Sequence, residues 1–294
     1  MSDYFKQNAT KCNFSTNESW VILNEIEQRI KAKIEAAGKP LKDWDINIYR
    51  GILTGYNEAF IIDEKKKDLL IAEDPKSAEI IRPLLRGRDI KRYSYEFADL
   101  YLITTFPSLK IDIEQYPAVK QHLISFGYDR LKQTGDKGAR KRTNNQWFET
   151  QDSISYWEDF YRPKIIWIEL TDNPNFCLDN DNYLINNTVF FISGDRLEYL
   201  VAYLNSKLCK WYFSRIAATS GVGTTRWIKI YIEQLRIPIR IETSIEDSLK
   251  ELTLRIQQNK IQKLDTTALE SLVDELIYKI FNFCSEEVKF IETQ

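Results

Sequence analysis

Residues 183–239 constrain this chain most, because they place a β-branched run, an amphipathic helix, a glycine-bearing loop and a proline-stopped segment in immediate succession. The run Tyr183-Leu-Ile-Asn-Asn-Thr-Val-Phe-Phe-Ile192 is rich in strand-forming side chains and meets Ser193 and Gly194, which predicts one buried strand and a turn. Asp195 with Glu198 three residues later is a capping arrangement. Leu197, Leu200, Val201, Leu204, Leu208, Trp211 and Tyr212 recur at three and four, so the helix that follows buries a wide stripe. Ser220-Gly-Val-Gly-Thr-Thr-Arg-Trp227 then breaks the period with two glycines and offers hydroxyls, a guanidinium and an indole. Such a loop can approach a phosphate backbone or a base edge closely, or can simply join a helix to a strand.

The remaining chain is long enough to bury a core around this stretch: 294 residues, 43% hydrophobic, imply one large or two modest domains. With 41 basic against 43 acidic residues there is no overall positive field, so any nucleic-acid surface must come from local clustering. The single histidine, His122, argues against triads, histidine metal sites and most proton shuttles, and is expected to sit at the surface or in packing. Cys12, Cys177, Cys209 and Cys284 are dispersed, without a Cys-x-x-Cys pair, so neither zinc nor a disulfide framework is suggested and a reducing cytoplasm fits. Apolar runs such as Ile165-Ile-Trp-Ile168 fall far short of the roughly 20 residues that span a bilayer, so no membrane partner is expected.

From the start, Ser15-Thr-Asn-Glu18 forms a capping box before a narrow stripe of Ile22, Ile26, Ile30 and Ile34, closed by Gly38 and Pro40. Residues 46–62 predict two strands joined by the turn Thr54-Gly-Tyr-Asn57. Asp63-Glu-Lys-Lys-Lys67 superficially suggests a nuclease carboxylate–lysine set, but adjacent charges at a strand end usually form a solvated turn. In 81–93, Arg82, Arg86, Arg88, Lys91 and Arg92 face one acid, Asp89, and either bind phosphate or form a basic solvent face. Residues 128–147 have no hydrophobic period. They carry Arg140, Lys141 and Arg142 in a row, then Asn144, Asn145 and Gln146 beside Trp147. Arginine can read guanine and Asn or Gln adenine through paired bonds, although a mobile charged loop has the same composition. After Pro238, Thr243 with Glu246 and Thr267 with Glu270 cap two helices whose long apolar stripes must pack on each other, on the first helix or on a second protein.

Several of these strings together resemble one family. Leu204-Asn-Ser-Lys-Leu208, the loop ending Arg226-Trp227, Tyr231-Ile-Glu-Gln-Leu-Arg-Ile-Pro238, Arg50-Gly-Ile52 with Thr54-Gly-Tyr-Asn-Glu-Ala-Phe60, Leu84-Leu-Arg-Gly-Arg-Asp-Ile90 and Pro163-Lys-Ile-Ile166 are similar, in order, to the C-terminal specificity domain of TaqI-like DNA methyltransferases. More narrowly, they resemble the target-recognition part of type IIG restriction-modification enzymes and their phage-defence relatives. The resemblance runs over roughly residues 20–290. It implies an α/β (α+β) fold, a mixed-sheet target-recognition domain with flanking helices and a C-terminal helical hairpin. The expected segments are a leader and spacer helix over 1–40, the recognition domain over 41–240 and a helical docking segment over 241–294.

The resemblance also implies a function: sequence-specific binding of double-stranded DNA for an N6-adenine methyltransferase that flips its base, with no catalysis by this chain. Arg86, Arg88, Lys91 and Arg92 are the expected phosphate contacts. Arg140, Lys141, Arg142, Asn144, Asn145, Gln146, Thr224, Thr225 and Arg226 are the expected base readers, with Arg142 and Trp147 as structural anchors of their loop. No catalytic or metal residue is expected. Thr171-Asp-Asn-Pro-Asn-Phe176 departs from the Asn-Pro-Pro-aromatic motif of adenine methyltransferases, lacking the second proline and placing its aromatic one position late, so it reads as a tight turn. By family analogy the methyltransferase and nuclease domains lie N-terminal to this segment, in the same parent protein or a partner subunit. S-adenosylmethionine and magnesium are expected there and not in this chain, which would be a fragment or subunit of a cytoplasmic, nucleoid-associated prokaryotic enzyme. Two other classes fit the composition: a helical scaffold without DNA binding, and a self-contained nucleic-acid enzyme.

Overall fold

The computed structural model describes residues 23–217 and 225–294. They pack as two compact units. One comprises Asn47–Glu169 with Asn175–Leu197; the other takes the chain up to Ile46, Leu170–Pro174 and Glu198–Gln294. This division follows packing, and it parts residues 41–240 between the two units.

The first unit is built on two four-stranded sheets. One orders the strands Leu184–Ile185, Ile81–Leu85, Leu100–Ile103 and Ile61–Asp63; the other orders Ile46–Arg50, Val189–Gly194, Lys164–Ile168 and Phe176–Asp179. Leu184–Ile185 runs parallel to Ile81–Leu85, and the pairs on either side of Leu100–Ile103 are antiparallel, so the sheet is mixed. The single strand expected over 183–192 is therefore two strands in two sheets. Asn186 causes the break: its Oδ1 accepts from the Thr188 hydroxyl at 2.7 Å, and its carbonyl accepts from Val189 N–H at 3.0 Å, turning the chain out of one ladder into the next. Gly51 lies against this turn. A Cβ there would fall 2.1 Å from the Asn186 carbonyl oxygen, so only glycine lets the two backbones meet.

The hairpin expected over 46–62 does not form either. After Ile46–Arg50 the chain turns at Gly55, with φ of +78°, and the Thr54 hydroxyl donates to Asn57 Oδ1 at 2.7 Å as the helical turn Asn57–Phe60 begins. That turn delivers Ile61–Asp63 to the other sheet. Asp63 caps the helix Glu64–Glu73 by accepting from Lys66 N–H at 2.8 Å.

The second unit is largely helical. Glu25–Ala37 starts at a reciprocal box between Asn24 and Glu27 and stops where Gly38 N–H donates to the Ile34 carbonyl. The expected box at Ser15 and Glu18 lies outside the described residues. Lys39–Pro40 pairs with Arg236–Ile237. The one helix expected after residue 195 is two, Leu197–Asn205 and Lys207–Ile216, because the Ser206 hydroxyl caps the second by accepting from Cys209 N–H. Thr243–Ile261 and Thr267–Ile280 form the C-terminal hairpin. Ser285–Glu292 packs on Lys207–Ile216 and on Glu25–Ala37, where Lys33 meets Glu287 at 2.7 Å. Among the described residues no helix is long and apolar enough to cross a membrane.

Candidate functional site

The loop after Tyr128–Leu131 has no regular structure, and buried polar side chains hold it instead. Arg140 is 4% exposed. Its guanidinium donates Nε–H to Leu131 O (2.9 Å), Nη1–H to Thr54 O and Glu149 O (both 2.8 Å), and Nη2–H to Trp147 O (2.7 Å), while lying over the Phe60 ring. Burial pushes it down to about 10, against the pull of Glu149. With four of its five N–H donors committed to carbonyls and the group buried, Arg140 is the loop's anchor, the role expected of Arg142, rather than a base reader. Gln133, 5% exposed and unsuspected from sequence, is a second anchor. Its amide nitrogen donates to Gln146 O (3.1 Å) and Glu149 O (3.0 Å), and its oxygen accepts from the Thr143 hydroxyl (2.7 Å). Asn145 likewise turns inward, donating to the carbonyls of Thr150 (3.1 Å) and Gln151 (2.9 Å).

The remaining positions face outward. Lys141, Arg142, Asn144 and Gln146 are exposed, and Arg142 donates Nε–H to Thr134 O at 2.8 Å. The tip, 135–138, is exposed too, with Gly135 and Gly138 both at positive φ. Gly135 N–H to Arg140 O and Thr143 N–H to Gln133 O, both 3.0 Å, close the loop into a narrow excursion. Thr105 fastens it to the sheet, its carbonyl accepting from Thr150 N–H (2.9 Å) and its hydroxyl donating to Phe148 O (2.6 Å). A buried base with an exposed rim presents polar side chains from a fixed platform.

The basic run at 86–92 is placed elsewhere. Ile81 pairs with Ile103 in an antiparallel ladder, so Thr105 lies beside the start of Ile81–Leu85 and Arg86 follows its far end, about 17 Å away at 3.3 Å per residue. The two candidate patches therefore occupy opposite ends of one sheet. Within the run, Arg86 is committed to the buried Asp89 through Nε (3.0 Å) and Nη2 (2.9 Å), a bidentate pair that raises the guanidinium's affinity for its proton. Its expected phosphate role gives way to closing the 3₁₀ turn Gly87–Asp89. Arg88 and Lys91 are exposed, with Lys91 Nζ on the Arg88 carbonyl (2.9 Å), and Arg92 lies over the Tyr93 ring.

Thr225 and Arg226 belong to the helical unit, and Thr224 lies outside the described residues. Arg226 is exposed and bridges Leu170 in an antiparallel contact; Trp227 beside it is buried, stacked on Phe213 at 3.8 Å, with its indole N–H on Thr171 O (3.1 Å). The turn after Thr171 is as tight as expected, its hydroxyl donating to Asn173 O at 2.8 Å. His122 packs half-buried against the Ala59 carbonyl (3.0 Å). Lys164 and Asp179, directly opposed on neighbouring strands and fully buried, meet at 2.6 Å.

The fold has known counterparts. The chain is 20% identical over 225 residues to the type II methyltransferase M.PaeR7I of Pseudomonas aeruginosa, a match covering 75% of this chain and 37% of that protein. Its fold is similar to that of the type IIL restriction-modification enzyme MmeI, solved in complex with DNA, with a TM-score of 0.56, 11% identity and coverage of 87% of this chain and 37% of that one. It is also similar to the type IIG restriction endonuclease BpuSI, with a TM-score of 0.53, 16% identity, and 87% and 33% coverage. The chain thus spans about a third of the length of each of these proteins. The TaqI-like C-terminal specificity domain matches over residues 82–239, more than half the sequence, and the chain belongs to that family.

Proposed function

We propose that this chain recognises a short sequence in double-stranded DNA for a restriction-modification enzyme, and that the methyl transfer and any cleavage are carried out by other domains. The observation that carries the reading is the loop at 132–151. Its buried base is held together by Arg140, Gln133 and Asn145 and fastened beside a sheet strand through Thr105, while Lys141, Arg142, Asn144 and Gln146 stand exposed on it. Those four side chains can donate to guanine or pair with adenine in a groove. Arg88, Lys91 and Arg92 would hold phosphates, and Thr225 and Arg226 would add a second reading element. S-adenosylmethionine and magnesium would serve the catalytic domains, in the same parent protein or a partner subunit, with none held by this chain.

The test is a mobility shift on a panel of duplexes at two salt concentrations. Recognition weakens steeply with salt because counterions are displaced, whereas a scaffold shows no DNA dependence. Arg142→Ala is expected to relax site choice at one base pair. Binding with unchanged site choice and affinity in Arg142→Ala, Asn144→Ala and Arg226→Ala would remove these loops from the mechanism.

A further inference from the structure

We propose that the aromatic cleft beside the recognition loop accepts one unstacked guanine from bound DNA, which rests on the DNA-binding reading above. The cleft has a volume of about 330 Å³ and lies wholly within the two-sheet unit. That is the low end of the roughly 300–1,000 Å³ range of ligand clefts, the scale of a single nucleoside. Phe106 and Tyr116 are buried in its wall, while Trp157 is half-buried and Tyr161 is 40% exposed, edge-on to one another at 6.1 Å. Aromatic faces of this kind hold unstacked bases of any sequence.

Two charged groups at the rim supply selectivity. The Glu79 carboxylate accepts from the Tyr116 hydroxyl at 2.9 Å, which fixes its orientation. An ionised carboxylate has further acceptor positions and no donor. Arg82 is likewise held, its Nη1 donating to Ala78 O (2.6 Å) and Ile81 O (3.0 Å). Guanine offers two adjacent donors, N1–H and the N2 amino group, to a carboxylate, and two acceptors, O6 and N7, to a guanidinium. Adenine offers the carboxylate one donor, its N6 amino group, beside the repelling N1 lone pair, and thymine offers only N3–H between two repelling carbonyls, so neither matches the two adjacent donors of guanine. The cleft is also in the right place. Thr104 and Phe106 line it, and Thr105 between them fastens the loop that carries Lys141 and Arg142. A duplex lying on that loop would have a displaced base within reach of the same strand end.

The experiment measures fluorescence anisotropy of the chain on labelled duplexes that are fully paired or carry one bulged G, A, C or T. The bulged-guanine duplex is expected to bind about tenfold more tightly than the paired duplex and the other bulges. Glu79→Gln, which keeps an acceptor for Tyr116, should erase that preference while leaving paired-duplex affinity unchanged; Tyr161→Ala should weaken all bulges. If paired duplex binds but bulged guanine gains nothing, or keeps its gain in Glu79→Gln, the cleft proposal is wrong and the recognition reading stands. If no duplex binds, the recognition reading fails, and titration with guanosine monophosphate decides the cleft. Saturable quenching of tryptophan fluorescence that Glu79→Gln abolishes supports it, and no saturable change overturns it.

Discussion

Replacing Arg140 by alanine should unfold the loop at 132–151 before it touches any DNA binding. Its four bonds of 2.7–2.9 Å end on carbonyls from three separate stretches of chain, at Thr54, Leu131, and Trp147 with Glu149. Hydrogen bonds to a charged group contribute roughly 1.5–3 kcal/mol each, and the guanidinium over Phe60 adds about 0.5–2 kcal/mol. Desolvating a cation that is 4% exposed offsets several kcal/mol of this, which leaves a net loss of about 3–5 kcal/mol for Arg140→Ala. Typical domains are stable by only about 5–15 kcal/mol, so the loss is large. Arg140→Lys should recover less than half, since one ammonium cannot span four carbonyls that a planar fork reaches. Lys141→Ala, at an exposed neighbour, should stay within about 0.5 kcal/mol. Urea midpoints give the global effect, and amide exchange at Gly135, Thr143 and Thr150 shows whether the loop detaches locally. If Arg140→Ala matches Lys141→Ala in both measurements yet loses site choice, then Arg140 reads DNA and the inference from burial is refuted.

Two further expectations concern stability. Lys164 and Asp179 are a fully buried pair, each pushed toward its neutral form by burial, with the other's charge opposing that push. Lys164→Met should cost about 3–5 kcal/mol by stranding the carboxylate, while Lys164→Met with Asp179→Leu should recover most of it in a denaturation cycle; equal losses would show that the pair's charge is irrelevant. Burial lowers the His122 proton affinity, with Lys66 adding to the effect and the Ala59 carbonyl opposing it. A depressed folded value means its contribution is present above the ordinary 6.5 and is lost as pH falls toward the folded value, so stability should drop as pH falls below about 6.5. His122→Gln should flatten that slope, and an unchanged slope would assign it to other groups.

The sequence was most legible where one local rule decided the outcome. Gly38 closes its helix as expected, and the two C-terminal helices pack on each other, one of the outcomes their apolar stripes allow. It was least legible where a short polar signal overrode a long apolar one. Asn186 splits a run that reads as one strand, and Ser206 splits a stripe that reads as one helix, because each side chain satisfies backbone groups that the longer element would have used. Among the candidate site residues, composition singled out the loop at 128–147 but could not sort its members by burial. Arg140 and Arg142 are two positions apart and chemically identical. Only burial separates the anchor from the exposed group, and burial here depends on carbonyls as distant as Thr54.

That sorting bears on how a chain with a net charge of −2 could hold DNA at all. Several cations at the candidate patches are already committed: Arg140 to backbone, Arg86 to Asp89, and Lys132 to Asp129 at 2.8 Å. The cations proposed for phosphate or base are Arg88, Lys91, Arg92, Lys141, Arg142 and Arg226, split between two compact units and, within one, between opposite ends of a sheet. If all six met phosphates, log affinity against log salt would fall with a slope of about −5, and any that read bases make it shallower. Arg88→Ala and Lys91→Ala should each flatten the slope by about 1 without altering site choice. A measured slope much steeper than −5 would mean that cations outside these patches carry the binding. A shallow slope with sharp site choice would instead match a module that selects a sequence while the catalytic domains supply most of the grip.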